Sequence, residues 1–579
     1  MLALALVVLL AQESPAEARV AALARCADCH PSESAGYAAT GMARALGRVQ
    51  PGELAGLAPV DESASGFRYH FEGDGATARL VETFPAKPEY RDSAMLAFAI
   101  GAGRLDRSYV LARAQRWWMA PLEVAGSGAE RHAALAPGHA MQPGTRFRQA
   151  ITPECLACHT DSPPPPTWPL NVAVAGWEPR GISCGGCHGD VVGHVAAREQ
   201  ELSGGERVSD PLAAERSWSR LQRLERCAAC HLQGDARIEL DPARLGPPPP
   251  GTPLLDTRAV FVARAASEEI GFVSQVQRLV LARCYLESAT MPGGGLSCET
   301  CHDPHTSPDD ARERQKTRRD ACLRCHATEG GDATHASACP APASATQACA
   351  DCHLRKSPVF DVAGVTIHDH WIRARPPAPS PTPKALRFAE SAAGDWRIFE
   401  FPDAPREGDD DAGLWTLALA HGGHQEKAVE RARAGLGTRA ASLPMLHHVR
   451  GSLLERGQEF ENARASYERA LALAPGLPDT STNLAPVLAQ LNQPAAGRQL
   501  LDALLKRHPL ADGAYRNRAA IRLALGDEPG FLADLDVAMR LAPAPELAQA
   551  LAAYHEQKGK PAEAERWRAE ARRLDPRLP

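Results

Sequence analysis

Apolar and polar positions alternate with two different periods along this chain, and the change of period divides it. In the second half, from about Ala412 onward, apolar positions recur in the manner of paired amphipathic helices. Pro475, Pro509, Pro543 and Pro576 mark that recurrence, spaced by 34, 34 and 33 residues. The clearest unit runs from Leu446 to Pro475, with Gly457 at the turn between two helices and Tyr467 and Ala470 on the second. Gly526 and Gly559 repeat the turn, Trp567 and Ala571 repeat the second-helix positions, and Trp415 to Gly423 fits a degenerate first unit. Four to five helix pairs are predicted. In the first half, Phe67, Tyr69 and Phe71 alternate with polar residues as on a half-buried strand, and Glu72 to Gly75 supplies a hairpin turn. His70 then lies on the face opposite the aromatics. Trp396 to Phe401 reads as a further short strand.

A period of 34 residues is that of tetratricopeptide repeats, whose stacked helix pairs bury a continuous core. Their concave face usually holds a peptide or partner protein, while the plainer reading is a solenoid that dimerises or braces its neighbour. Met1 to Ala11 is a short apolar run followed by Ala16-Glu17-Ala18, the small-x-small pattern of a cleaved export signal, although the charged start of such a signal is missing. No later stretch reaches the roughly 18 apolar residues of a membrane-spanning helix.

Composition changes the picture at one point. Aromatic residues make up 5% of 579 positions, too few to fill the interior of so long a chain, so something other than side chains is expected to contribute to its core. The cysteines supply a candidate. Fourteen of sixteen fall in seven identical Cys-x-x-Cys-His frames: Cys26/Cys29/His30, Cys155/Cys158/His159, Cys184/Cys187/His188, Cys227/Cys230/His231, Cys298/Cys301/His302, Cys322/Cys325/His326 and Cys349/Cys352/His353. Chance placement at this composition gives about 0.02 such frames. The frame is that of covalent haem attachment. Its two thiols form thioethers to the porphyrin vinyl groups, and its histidine is the proximal ligand to iron. Zinc would not require a histidine after every second cysteine, and seven pairs do not divide into four-ligand sites. Seven haems c, each with its iron, are the expected cofactors.

Iron's sixth position decides between electron transfer, when it is filled, and catalysis, when it is open. Eight further histidines lie between Arg19 and Trp371. His194 and His305 follow motifs closely and are the leading distal ligands. His335, His368 and His370 flank the last motif, and His70 is either a ligand or solvent-facing. His132, His139 and Met42 are weaker candidates. Cys284 and Cys339, left over, either bridge or remain buried thiols.

These motifs resemble those of the multihaem cytochromes c related to the tetrahaem cytochromes of nitrification, octahaem hydroxylamine oxidoreductase and pentahaem nitrite reductase. The resemblance rests on Cys184-Gly-Gly-Cys-His-Gly with His194, and on Leu296-Ser-Cys-Glu-Thr-Cys-His-Asp-Pro-His305. Thr40 to Arg44, Ile100 to Tyr109 and Ile367-His-Asp-His-Trp371 resemble a subgroup with C-terminal tetratricopeptide repeats. It implies short helices and loops packed around stacked haems over roughly residues 20 to 375. Nitrite reductases of the group carry Cys-x-x-Cys-Lys, which is absent here, and Tyr37, Tyr90, Tyr109 and Tyr285 give no reason to assign a cross-linked tyrosine.

The expected architecture is mostly α. Residues 1–18 form an export signal, 19–375 a heptahaem domain, 376–410 a Pro-rich linker with a short strand, and 411–579 the repeats. The expected role is electron transfer with redox partner proteins, in the periplasm or otherwise exported, with no nucleic-acid partner and no membrane span beyond the N-terminal segment. A formal charge of −6, to which ionised propionates add about −1 to −2 per haem, favours basic docking surfaces. The alternatives are an oxidoreductase acting on a small nitrogen or sulfur compound at an open haem, and an assembly scaffold.

Overall fold

The computed structural model describes residues 15–126, 128–165, 167–241, 246–264, 268, 270–291, 294–306, 311–326, 349–359, 362, 365–376, 396–405, 411–434 and 440–579. Most of the leader, most of the Pro-rich linker, His335 and Cys339 lie outside them.

Between the first and second motifs the chain builds a β-structure. Its strands are β1 (Leu46–Gly47), β2 (Val60–Glu62), β3 (Phe67–Glu72), β4 (Arg79–Thr83), β5 (Arg91–Ile100), β6 (Asp106–Arg113), β7 (Arg116–Ala125) and β8 (His132–Leu135). β2 to β8 pair in sequence order, β1 adds to β5, and the sheet curls until β2 and β8 meet in a nearly closed barrel. Short helices and loops are the expectation throughout this half, so the mostly α architecture is corrected here. The cause is local. The middle parts of β5 to β7 are apolar on both faces, with Phe98, Tyr109, Val110, Trp117 and Trp118 among them. Leu96, Tyr109, Leu111 and Leu122 fill the barrel, while Phe98, Ile100, Val110 and Trp117 pack outside against Ile151 and Leu156, beside the second motif. Register shifts at Leu96/Phe98 and Ser108/Val110 interrupt the simple alternation.

A second sheet joins the two halves. β9 (Ala236–Glu239), β10 (Arg258–Ala263) and, after β11 (Lys356–Pro358) and β12 (Thr366–His368) form their own hairpin, β13 (Trp396–Ile398) are antiparallel with β10 central. Side chains of β10 alternate across the sheet. Val260 and Val262 face the helix Arg220–His231, which ends in the fourth motif, whereas Ala259 and Phe261 face Leu414 and Trp415 of the solenoid.

The solenoid comprises five helix pairs, from Ala412–His421 with Gln425–Ala434 to Pro545–Gln557 with Pro561–Leu574. The turn within each pair needs one left-handed residue, supplied by Gly423, Gln458, Asn492, Gly526 and Gly559 with φ between 58° and 81°. In the clearest unit that residue is Gln458, not the expected Gly457. Gly451 is small for another reason: a Cβ there would lie 2.6 Å from the Tyr467 ring of the paired helix. Among the described residues no helix is long and apolar enough to cross a membrane.

The solenoid grips the barrel through the loop between its third and fourth helix pairs and through the C-terminal end of its last helix. Arg116 donates to the Leu510 carbonyl at 2.7 Å and pairs with Asp512 at 2.7 Å, both side chains being buried. Arg146, held by Glu82 at 3.0 Å, donates to the Leu574 carbonyl at 2.7 Å, and Lys87 reaches the Leu578 carbonyl at 3.2 Å. Asp512→Ala leaves the buried Arg116 guanidinium without its counter-charge. Denaturant unfolding of the haem-loaded chain is expected to show a loss of about 3–5 kcal/mol, and an unchanged midpoint would remove this pair from the structural account.

Candidate functional site

Every motif is placed on a helical turn or at its edge, as in the helices Pro15–Cys29, Cys184–His188, Arg220–His231, Ala311–His326 and Cys349–His353. That is what the spacing requires, because positions three apart share a helix face. No disulfide forms among the described cysteines, and Cys284 is a half-buried thiol.

The first five motifs converge on one interior space of about 2270 Å³, lined by both cysteines and the histidine of each. A single small-molecule site occupies roughly 300–1,000 Å³, so this volume suits several large groups side by side. The sixth and seventh motifs lie beyond it and are next to each other, with Cys322 close to Cys349.

The second cysteines of motifs 6 and 7 are Cys325 and Cys352. Neither lines the shared cavity, and both are exposed. Ala311–His326 packs against Cys349–His353 through the first cysteine of each motif, Cys322 and Cys349, which are half-buried.

Thiol contacts give the remaining neighbours: Cys26 with Cys184, Cys158 with Cys230, and Cys227 with Cys298. Cys187 interacts with Cys227, and Cys322 with Cys301. The motifs therefore run 1–3–4–5–6–7, and motif 2 branches from motif 4.

Three pairs of imidazoles face each other across the cavity. Ring centroids are 6.5 Å apart for His30 and His194, 6.1 Å for His188 and His305, and 6.2 Å for His302 and His370, with interplanar angles of 31°, 9° and 24°. With metal–nitrogen bonds of about 2 Å, and about 1.1 Å from nitrogen to ring centre, two imidazoles on opposite faces of one metal stand about 6.3 Å apart. The three separations match that geometry. In each pair the second histidine comes from a segment following a different motif: His194 follows motif 3 and faces motif 1, His305 follows motif 5 and faces motif 3, and His370 follows motif 7 and faces motif 5.

Several of these rings are oriented from behind. Nδ1 of His188 donates to Glu215 at 2.7 Å and Nδ1 of His194 to Asp210 at 2.9 Å. Nδ1 of His370 donates to the His368 carbonyl at 3.0 Å, Nδ1 of His368 to the Leu354 carbonyl at 3.2 Å, and Nδ1 of His353 to the Arg373 carbonyl at 3.0 Å. A proton fixed on Nδ1 leaves the Nε2 lone pair for a metal. Burial lowers the affinity of His159, His231, His302 and His370 for a second proton, His370 down to about 4, so these imidazoles are neutral, as ligation requires.

Other candidates are placed elsewhere. His70, on β3, binds Glu72 at 3.0 Å on the barrel and is not brought to any motif. The exposed His132 meets the Glu130 carbonyl, and the buried His139 meets the Arg146 carbonyl at 2.6 Å. Met42 lines the cavity. Among the described residues no imidazole faces His159 or His231 as in the three pairs. His159 lies near the Ala45 backbone with Asp106 close by, and His231 lies near Gln275. Sequence reasoning missed Glu215 and Asp210, which lie 27 and 16 residues from the histidines they hold.

The comparisons agree with the motif chemistry over a short stretch. A family model described as a doubled CXXCH motif matches residues 291–331, which contain motifs 5 and 6. The doubled motif points to covalently bound haem c. No curated protein matches the chain. Solved structures similar to it include YrrB, a TPR protein with an unusual peptide-binding site, at 15% identity over 29% of this chain and 86% of that one, with a TM-score of 0.24. MamA from Desulfovibrio magneticus is 18% identical over 30% and 98%, with a TM-score of 0.26. A thermophilic TPR protein of Thermus thermophilus is 16% identical over 29% and 91%, with a TM-score of 0.25. At such scores the likeness carries no weight, and the repeat assignment rests on the helix pairs themselves.

One carboxyl beside the cavity gives a pH test. Glu123 is fully buried, accepts from Ser108 at 3.2 Å and has no partner for its second oxygen. Burial, with Asp106 nearby, raises its pKa from 4.5 to about 8. Its unfolded form ionises first, so stability is full below about pH 4.5 and falls until the folded group ionises near pH 8, by on the order of 5 kcal/mol. Glu123→Gln is expected to flatten that segment of the pH–stability curve and raise the unfolding midpoint at pH 7.5. A parallel curve for the variant would contradict the assignment.

Proposed function

We propose that the chain is an exported multihaem c-type cytochrome that moves electrons along seven covalently bound haems. The observation that carries this reading is the set of three imidazole pairs standing 6.1–6.5 Å apart across a cavity lined by five haem-attachment motifs. Residues 19–375 form the heptahaem domain, 411–579 the repeats, and 1–18 an export signal or anchor. The two cysteines of each motif hold a porphyrin by thioethers, and His30, His159, His188, His231, His302, His326 and His353 are the proximal ligands. At motifs 6 and 7 the exposed Cys325 and Cys352 hold porphyrins that lie toward the surface rather than in the shared interior. His194, His305 and His370 are distal ligands to motifs 1, 3 and 5. His368, and His335 outside the described residues, remain for motifs 6 and 7.

Iron held between two imidazoles cycles between ferric and ferrous states without taking up another ligand. The protein's part is positional and electrostatic. Glu215 and Asp210 fix the rings of His188 and His194 and raise their basicity. Because each crossing histidine ties one motif's segment to another, neighbouring sites stay at constant separation. The acidic surface favours basic redox partners. The solenoid braces the barrel through one inter-repeat loop and its C-terminal end and leaves its concave face for a protein or peptide partner.

A second reading is favoured by a specific observation. Once His194, His305 and His370 are assigned, the irons of motifs 2, 4, 6 and 7 still need a sixth ligand. Of the remaining non-motif histidines in residues 19–375, His70, His132 and His139 are held in the barrel, which leaves His335 and His368 for four irons. At least two irons then have no histidine from this domain in the sixth position, and one of them is a place for a small nitrogen or sulfur compound to bind and react.

Intact mass of periplasmically matured protein is expected to exceed the polypeptide by seven haem increments. His194→Ala, His305→Ala and His370→Ala are each expected to convert one ferric haem per chain from low to high spin without lowering that mass. Fewer increments would refute the count, and unchanged spectra in the three variants would refute the ligand pairs. A wild-type high-spin haem that binds cyanide or CO would favour the oxidoreductase reading, and its absence would favour the electron carrier.

A further inference from the structure

The segment between motif 7 and the linker carries two histidines with one acid between them. Side chains at i and i+2 of an extended segment point one way and the residue between them the other. His368 ends β12, paired to Lys356 of β11, and His370 follows two residues on. Asp369, between them, is essentially inaccessible to solvent. Its carboxylate accepts from Arg278 Nε at 2.8 Å and Nη2 at 2.6 Å, and from the Trp371 amide at 3.0 Å. Its own amide donates to the Arg355 carbonyl at 2.8 Å.

Arg278 is equally buried and sits in the short helix Gln275–Leu279. Its guanidinium lies over the Trp371 ring at 5.0 Å, with Arg373 over the same ring at 4.2 Å. Arg373 and Arg355 both reach Glu268, at 2.7 and 3.0 Å, which closes the network from outside. The same helix presents Gln275 to His231 of motif 4.

A buried ion pair is weak as a source of net stability, since apolar residues of similar size often do as well. A bidentate fork, however, fixes distance and orientation together, which a single ammonium cannot do. The groups fixed by this one are the two flanking imidazoles. We infer that Arg278 is a positioning residue: its fork on Asp369 sets the orientation of His370 opposite His302, and through the same segment that of His368 beside motif 7. The inference rests on the reading of His302 and His370 as axial partners of one iron.

The test uses the full haem-loaded chain and four variants. His370→Ala comes first as the control for the ligand pair. Arg278→Met is expected to keep the wild-type haem mass and to turn at least one ferric haem per chain high-spin by EPR and absorption, with a shifted midpoint potential for that haem. Arg278→Lys, which keeps the charge and loses the fork, and Asp369→Asn, which keeps the shape, are expected to show partial conversion. If His370→Ala converts one haem while Arg278→Met, fully loaded, keeps the wild-type spectrum, the positioning role is wrong and the ligand pair stands. If His370→Ala converts none, the ligand pair itself is wrong and the inference falls with it. Should Arg278→Met fail to mature, unchanged low-spin content in both conservative variants overturns the role, and partial conversion supports it.

Discussion

Two imidazoles facing each other at 6.1–6.5 Å share one metal only if the segments bearing them cannot drift, and much of this fold serves that constraint. Metal–ligand distances hold to within about 0.2 Å, a tolerance that ordinary apolar contacts do not demand. Here the two rings of each pair come from distant segments, so rigidity has to be supplied between segments. The nearly closed barrel seats motif 2 through Ile151 and Leu156. β10 packs motif 4 on one face and the solenoid on the other. Arg278 and Asp369 fix the segment that returns from motif 7 to motif 5.

The crossing pattern also bears on the thin supply of aromatic side chains. Apolar residues form separate clusters around the cavity, one inside the barrel, one around the helix Arg220–His231 and one between β10 and the solenoid, and none spans the space enclosed by the first five motifs. A chain that leaves its centre to be filled by bound groups is held to those groups for its stability, because ligand that binds only the native state adds its binding free energy to folding. The solenoid's grip on the barrel, through buried Arg116 and Arg146, adds stiffness from outside.

The local chemistry was legible in the sequence, and the three-dimensional pairing was not. The seven motifs, the 34-residue period, the Phe67 to Phe71 strand and the candidacy of His194 and His305 follow from spacing alone, whereas His370 stood level with His335 and His368. The barrel was missed because β5 to β7 are buried on both faces and so lack the clean alternation of a half-exposed strand. His194 stands six residues after His188 in sequence and yet faces His30, since a histidine so close to a proximal ligand is carried away from that ligand's site by its own helix, Val191–Leu202. Seven identical frames also hide a difference in surroundings: Cys325 and Cys352 read the same as Cys187 or Cys230, yet they lie outside the cavity that the first five motifs share. His70 looked like a candidate for want of information on its neighbour Glu72. Glu215 and Asp210 carry no local signal, because a carboxylate that orients a ring is selected by space, and sequence distance says nothing of it. In the solenoid, Gln458 in place of glycine at the left-handed turn shows the same limit at the scale of one residue.

The most direct measurement is the position of each iron, located by anomalous scattering at the iron edge in crystals of the haem-loaded protein. The account predicts iron midway between the Nε2 atoms of His30 and His194, of His188 and His305, and of His302 and His370, with motif 2 reached only through motif 4. Irons bound by His30, His188 and His302 with other groups on their far sides would contradict it.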